Sequence, residues 1–254
     1  MKVLVAFLVC LALASAFKFA PVPEPNPFNL KFTPSGRITN GQEASRFQFK
    51  YQVGLKLLSD KGTFWCGGTI VSDRWIVTAA HCTDDINAVN VYLGAWNRND
   101  KTEEGQQIVF AGKRYIIPHE QWDTVETKND IALIKLPAPI QFNEYIQPAK
   151  LPKYRADKNY KSYVGDVVTA SGWGVTEQGS QPDILRYIEK PVIKYSSCNR
   201  YYFGNIVDSQ QICINVSNKE STCNGDSGGP LVIEEDGEPV LIGATSFGFV
   251  LGCQ

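Results

Sequence analysis

The stretch Cys223-Asn224-Gly225-Asp226-Ser227-Gly228-Gly229-Pro230 places one serine among glycines, directly after an acid. Glycine allows the backbone to approach a bound carbonyl group closely and to adopt φ values that are closed to other residues. Two N–H groups that point at one spot can hold a developing oxyanion while Ser227 attacks the carbonyl carbon. The same stretch also fits a glycine-rich turn between two strands. The rest of the chain must decide between a nucleophile and a turn.

Composition indicates a globular β protein. The 254 residues have a formal charge of −1 and are 43% hydrophobic and 20% charged, which argues against nucleic acid as the main partner. This length suits one large domain or two small ones, with a substantial core. Short β-branched runs separated by Gly and Pro predict an all-β barrel or sandwich. The clearest runs are 51–58, 75–80, 89–93, 131–136, 164–170, 231–233 and 240–244.

Residues 1–16 have the pattern of a secretory signal peptide. Lys2 supplies a positive start, residues 3–13 are apolar, and Ala14-Ser15-Ala16 offers a small-residue cleavage site. The apolar run is shorter than the ~20 residues that a membrane span needs. We therefore expect a secreted, extracellular protein without a membrane anchor.

The cysteine count favours disulfides over a metal site. One of the seven cysteines, Cys10, leaves with the signal peptide, and six remain. An even set of cysteines in a secreted chain predicts disulfide bonds, although six cysteines allow 15 connectivities. With two histidines and no CxxC pair, we expect no metal and no cofactor.

Residues 17–37 are rich in proline and end in Arg37-Ile38-Thr39-Asn40-Gly41. Proline at this density favours an extended, accessible segment, and a single arginine before an apolar residue invites proteolytic cleavage. The segment predicts an activation propeptide, and a disordered linker is the alternative.

A serine nucleophile needs an imidazole base, and the base needs an acid that fixes its tautomer. His81 and His119 are the two histidines of the chain. His81 follows an apolar strand and precedes a cysteine that could anchor it, whereas the sequence around His119 is typical of a surface strand end. Asp130 leads into an apolar strand, where a partly buried carboxylate requires a partner, although it could instead cap the strand start.

Three blocks resemble the signatures of the chymotrypsin-like serine proteases, in that family's order of His, Asp and Ser. The blocks are Thr78-Ala79-Ala80-His81-Cys82, Asp130-Ile131-Ala132-Leu133 and Gly225-Asp226-Ser227-Gly228-Gly229-Pro230. Residues 37–41 resemble the activation site, and the chain looks most like the arthropod brachyurin-type, serine collagenase-like members. The resemblance extends from Arg37 to the last residue.

The resemblance implies two six-stranded antiparallel β-barrels within residues 38–254, the first over about 38–140 and the second over about 150–254. Ser227 would be the nucleophile, His81 the general base and then acid, and Asp130 the residue that orients the imidazole. The N–H groups of Gly225 and Ser227 would form the oxyanion hole. The family continues beyond the position of Gln254 through a last strand and a C-terminal helix, so the resemblance implies that this chain lacks both.

The resemblance also implies how the enzyme is switched on and what it cleaves. A trypsin-like protease would cut after Arg37, and the freed amine of Ile38 would pair with Asp226. Ser221, an uncharged residue, would form the floor of the specificity pocket, with Ser246 and Gly248 at its wall and mouth. This pocket predicts cleavage after large apolar residues.

The implied disulfides are Cys66–Cys82, Cys198–Cys213 and Cys223–Cys253, and Asn215 begins a possible N-glycosylation sequon. The expected partners are protein or peptide substrates and protein protease inhibitors, with the enzyme itself a monomer. Two alternatives remain: a catalytically silent homologue that serves as a binding module, and a serine esterase on an α/β-hydrolase sheet. The esterase would require alternating βα units and the order Ser, Asp, His, and the chain has neither.

Overall fold

The computed structural model describes residues 41–156, 159–176, 179–200, 210–215 and 221–248. In these residues the secondary structure is almost entirely strand, with two 3₁₀ turns, His81–Thr83 and Lys113–Tyr115, and one short helix, α1 (Tyr195–Asn199). The strands are β1 (Gln42–Glu43), β2 (Gln52–Ser59), β3 (Gly62–Ile70), β4 (Trp75–Thr78), β5 (Ala88–Leu93), β6 (Gln107–Gly112), β7 (Ile116–Pro118), β8 (Ala132–Lys135), β9 (Val167–Gly172), β10 (Arg186–Ile193), β11 (Cys213–Ile214), β12 (Pro230–Glu235) and β13 (Glu238–Ala244).

The first sheet is antiparallel and has the strand order β6-β5-β2-β3-β4-β8-β7. Its two edge strands, β6 and β7, are joined by the turn Lys113–Tyr115, so that one chain segment pairs with β5 before the corner and with β8 after it. This bent segment closes the sheet into a barrel. The sheet therefore has seven strands but six positions around the barrel, because the corner divides one position in two.

Alternation of side chains along β2 explains how this barrel is filled. Val53, Leu55 and Leu57 point inward and are at most 1% exposed, as expected for residues that share one face of a strand. They pack against apolar residues of β5 and β8, including Val91 and Ile134.

The second sheet has the order β1-β10-β9-β12-β13, with β11 paired to β10. Its interior is formed by residues such as Val168, Ile188 and Leu231. The N-terminal strand β1 belongs to this sheet, although it precedes the first barrel in the chain. Both sheets are all antiparallel, and the fold is the chymotrypsin-like β fold that the sequence predicts.

The two sheets pack on each other through a mixed core. Trp173, at the end of β9, is fully buried against Tyr92 of the first sheet. A buried polar pair crosses the same interface, because the Ser171 hydroxyl donates to Gln52 Oε1 at 2.7 Å. This contact fixes the position of β9 against β2, close to the segments that carry the candidate site. No helix among the described residues is long and apolar enough to cross a membrane.

Candidate active site

His81 lies at the start of a 3₁₀ turn that follows β4, and neighbouring groups hold this turn. The disulfide Cys66–Cys82 ties the turn to β3. The Thr83 hydroxyl donates to the carbonyl of Ala80 at 2.7 Å. The imidazole ring itself is partly open to solvent, with 32% of the side chain exposed. A ring held at its base and open at its tip can exchange a proton with a bound molecule.

Asp130 holds His81 through two contacts. Its Oδ2 lies 2.8 Å from His81 Nδ1, and its Oδ1 accepts the backbone N–H of His81 at 2.9 Å. The carboxylate side chain is only 4% exposed. Burial raises its pKa, but the hydrogen bonds and charge of His81 and the hydroxyl of Ser246 outweigh burial, and the pKa lies below its ordinary value. Asp130 is therefore ionised at neutral pH and fixes the proton of the imidazole on Nδ1.

Ser246 follows β13 and donates its hydroxyl to Asp130 Oδ2. The sequence resemblance assigns this residue to the specificity pocket, and its contact with the acid was missed. The block Ser246-Phe247-Gly248 is recognisable in the sequence, but no local pattern links Ser246 to Asp130, which lies 116 residues away in the chain.

Ser227 lies on a loop that the first barrel holds in place. The backbone N–H of Gly67, on β3, donates to the carbonyl of Ser227 at 2.7 Å. On the other side, the N–H of Gly228 donates to the carbonyl of Thr245, one residue before Ser246, also at 2.7 Å. The side chain of Ser227 is half-buried. The serine loop thus lies between two segments. One is β3, which the disulfide joins to the His81 turn, and the other is the segment after β13, whose Ser246 contacts Asp130.

Asp226 is completely buried beside Ser227. Its carboxylate accepts backbone N–H groups from Gly174 at 2.7 Å and from Cys223 at 2.9 Å. A Cβ at Gly174 would lie 2.2 Å from Asp226 Oδ2, so only glycine allows this approach. Burial raises the pKa of Asp226 to about 6, although the two N–H groups oppose the shift. A buried carboxylate of this kind is stabilised by a cation.

The pocket candidates Ser221 and Gly248 precede and follow this loop in the sequence. Ser221 is 8% exposed, and its hydroxyl has no hydrogen-bond partner among the described residues. Gly248 is exposed, and a Cβ there would meet nothing within 4 Å. Ser221 is thus a buried, uncharged residue, and Gly248 borders open space.

The structure contains the disulfide Cys198–Cys213, which links α1 to β11. Cys223 is also disulfide-bonded, and its implied partner Cys253 lies outside the described residues. Arg37 and Ile38 lie outside them as well. Asn215 follows β11 and donates its N–H to the carbonyl of Pro191 at 2.9 Å, while the other residues of the sequon are not described.

Within the described ranges, the group of possible metal ligands is Cys66, His81 and Cys82. The two sulfurs are bonded to each other, so neither can act as a thiolate ligand. His81 Nδ1 faces Asp130. The donor set does not fit a metal ion.

An imidazole oriented by a carboxylate, next to a serine loop rich in N–H donors, is arranged for acyl transfer. Together with two packed antiparallel sheets, it defines the class of chymotrypsin-like serine proteases.

Comparison with known proteins supports this class. The family model described as Trypsin matches residues 38–254. The chain is 36% identical to collagenase of Hypoderma lineatum, covering 100% of this chain and 90% of that protein. It is 40% identical to serine protease 1 of Drosophila melanogaster (86% and 78% covered) and 35% identical to brachyurin of Leptuca pugilator (85% and 89% covered). A solved structure of HL collagenase superposes with a TM-score of 0.76 at 34% identity, over 85% of this chain and 89% of that one. The chain belongs to the trypsin family, and it is a serine endopeptidase.

Proposed function

We propose that the chain is a secreted endopeptidase that hydrolyses peptide bonds through an acyl-enzyme on Ser227, with His81 as base and Asp130 as its orienting acid. The observation that carries this proposal is the pair of contacts from Asp130 to the ring and to the backbone of His81. With the proton on Nδ1, the other ring nitrogen, Nε2, carries a lone pair that can accept the proton of a serine hydroxyl. The imidazolium that then forms is stabilised by the ionised Asp130. The N–H groups of Gly225 and Ser227 would receive the charge of the tetrahedral intermediate.

The test is covalent labelling of the trypsin-treated chain with a fluorophosphonate, followed by peptide mapping. We expect the probe on Ser227 at one equivalent, with loss of labelling when His81 is replaced by Ala. A properly folded, cleaved protein that takes up no probe would favour the silent homologue instead.

We also propose that residues 1–16 are a signal peptide and residues 17–37 an activation propeptide, removed by a trypsin-like protease that cuts after Arg37. The geometry of β1 supports an inserted amine. Glu43 on β1 is paired with Arg186, and Arg186 with Gly172, so β1 lies two strand spacings, about 10 Å, from Gly172. A Cβ at Gly172 would lie 2.3 Å from Asp226 Oδ1.

Ile38 lies three positions before Gly41, and an extended chain spans about 3.3–3.6 Å per residue. The amine of Ile38 can therefore reach across the two strand spacings to Asp226. An ammonium group in that place would stabilise the ionised carboxylate, whose hydrogen bonds with Gly174 and Cys223 come from neutral backbone N–H groups.

Before cleavage, Asp226 should make stability depend on pH in a definite direction. Its folded pKa of about 6 exceeds the ordinary 3.8, so its contribution is fully present below pH 4 and is lost as the pH rises through 6. We expect uncleavable Arg37→Gln protein to lose up to about 3 kcal/mol of unfolding free energy from this group between pH 4 and pH 7. The comparison protein carries Arg37→Gln and Asp226→Asn, which cannot titrate. Urea unfolding of both across this range measures the difference, and parallel curves would contradict the assignment.

The uncharged floor at Ser221 supports a preference for large apolar residues at the cleaved position. A substrate lysine or arginine would lose its hydration there without gaining a carboxylate partner. We expect a peptide library to be cut after Phe, Tyr or Leu at least about tenfold faster than after Lys or Arg. Ser221→Asp should raise the relative rate after basic residues. Equal wild-type rates for Phe and Arg would remove this specificity proposal and leave the mechanism untouched.

A further inference from the structure

The orientation of the peptide between Asn224 and Gly225 is set by a loop of the second sheet. The carbonyl of Asn224 accepts the backbone N–H of Val175 at 2.8 Å. A trans peptide is planar, and its C=O and N–H point in opposite directions. The bond to Val175 therefore directs the N–H of Gly225 away from the loop. Gly225 has a φ of +103°, which glycine adopts without strain, so the peptide depends on outside contacts to stay in this orientation.

A second contact from the same loop covers Gly225. A Cβ built on Gly225 would lie 2.2 Å from Gln181 Nε2 and 3.3 Å from the Cα of Gly174. The Gln181 amide thus occupies the space beside the Gly225 α-carbon. The loop closes on itself nearby, because the N–H of Thr176 donates to the carbonyl of Ser180 at 3.0 Å. The amide therefore packs against the backbone of Gly225 and limits the space into which this residue can move.

The Gln181 amide is held in turn from the first sheet. Arg98, which follows β5, donates from Nη1 to Gln181 Oε1 at 2.6 Å. Its backbone N–H donates to the carbonyl of Asp183 at 2.9 Å. The guanidinium lies over the ring of Trp65, 5.3 Å from the centroid, and Trp65 packs edge-on against Trp173. The arginine is therefore restrained by two contacts besides the one with the glutamine, at its backbone N–H and at its guanidinium.

We infer that Arg98 and Gln181 are positioning residues, which hold the Gly225 N–H in the direction that the oxyanion requires. The inference rests on the proposed function, since it assumes that Gly225 donates to the intermediate. Neither side chain needs to touch the reacting atoms. Arg98 holds the Gln181 amide, and the amide packs against Gly225. The hydrogen bond from Val175 to the Asn224 carbonyl holds the same peptide independently.

The test compares trypsin-activated full-chain variants on a short peptide substrate. Arg98→Met keeps the aliphatic stem over Trp65 and removes the guanidinium, and Gln181→Leu removes the amide. Loss of one oxyanion donor costs about 10²–10³-fold in kcat, so a misdirected donor should cost about tenfold, with KM changed less than threefold. Affinity for a peptide aldehyde, whose hemiacetal oxygen needs the same donors, should fall by the same factor. The matched control is Arg114→Met, because Arg114 also lies over an aromatic ring, 4.8 Å from that of Tyr115, outside the site.

The double variant distinguishes this chain of contacts from a general loss of stability. Because both side chains act through one contact, the double variant Arg98→Met/Gln181→Leu should have a kcat no lower than that of the more impaired single variant. The acid limb of the pH–rate profile should stay in place, because His81 and Asp130 are untouched. If each single variant keeps kcat and aldehyde affinity within twofold of wild type, the inference is overturned. If wild type and these variants still take up fluorophosphonate on Ser227, the proposed function stands. A wild-type protein that takes up no fluorophosphonate would overturn both.

Discussion

Replacing Asp130 by Asn is expected to reduce kcat on the order of 10⁴-fold at neutral pH, the size of effect that the wrong imidazole tautomer causes in such a triad. The structure gives the reason. The backbone N–H of His81 donates to Oδ1 of Asp130 at 2.9 Å, so the amide oxygen of the variant would remain there as the acceptor. The amide nitrogen would then face His81 Nδ1 and donate to it. The ring proton would move to Nε2, and the base could no longer accept the proton of Ser227.

Kinetics on a peptide substrate across pH 6–10 measure this effect. The matched control is Ser246→Ala, which removes the other donor to Oδ2 but leaves the tautomer unchanged. Loss of one hydrogen bond to a charged group typically costs about 1.5–3 kcal/mol, so a loss of about 10- to 150-fold is expected, well below that of Asp130→Asn. Equal losses in the two variants would mean that Asp130 acts only as a structural acceptor.

Replacing Arg37 by Gln is expected to abolish activity after trypsin treatment, although His81, Asp130 and Ser227 are unchanged. Without cleavage the amine of Ile38 is not released, and the buried carboxylate of Asp226 keeps the pKa of about 6 that burial imposes. The loop that carries Gly225 and Ser227 would then lack the ion pair that holds its active arrangement. Removal of both oxyanion donors alone would account for a loss of at least about 10³-fold.

The measurement is turnover of a peptide substrate after trypsin treatment, with N-terminal sequencing to confirm the cut. Arg46→Gln serves as the control, because Arg46 is an exposed arginine nearby and its loss leaves the Arg37 site intact. It should be activated like wild type. Full activity of intact Arg37→Gln protein would rule out control by the Ile38 amine.

Strands with apolar alternation were predictable, and those with polar or glycine-rich interiors were not. The runs at 89–93 and 240–244 correspond to β5 and the later part of β13. By contrast, β10 was missed, because Arg186 and Lys190 lie on its buried face, at 3% and 7% exposure. Glu43 makes an ion pair with Arg186, and this partner lies 143 residues away in the chain. Glycines in β3 likewise weaken its strand signal, since they are needed where the serine loop packs.

The sequence by itself determined the chemistry of each short block. A serine among glycines, a histidine beside a cysteine and an acid before a strand are local patterns, because reactivity and backbone conformation depend on immediate neighbours. Only the tertiary structure decided which groups meet: Ser246 with Asp130, Arg98 with Gln181, and β1 with the second sheet. Those contacts join residues 83 to 145 positions apart, and no local preference specifies them. They follow from the packing of two closed sheets, which brings distant loops to one interface.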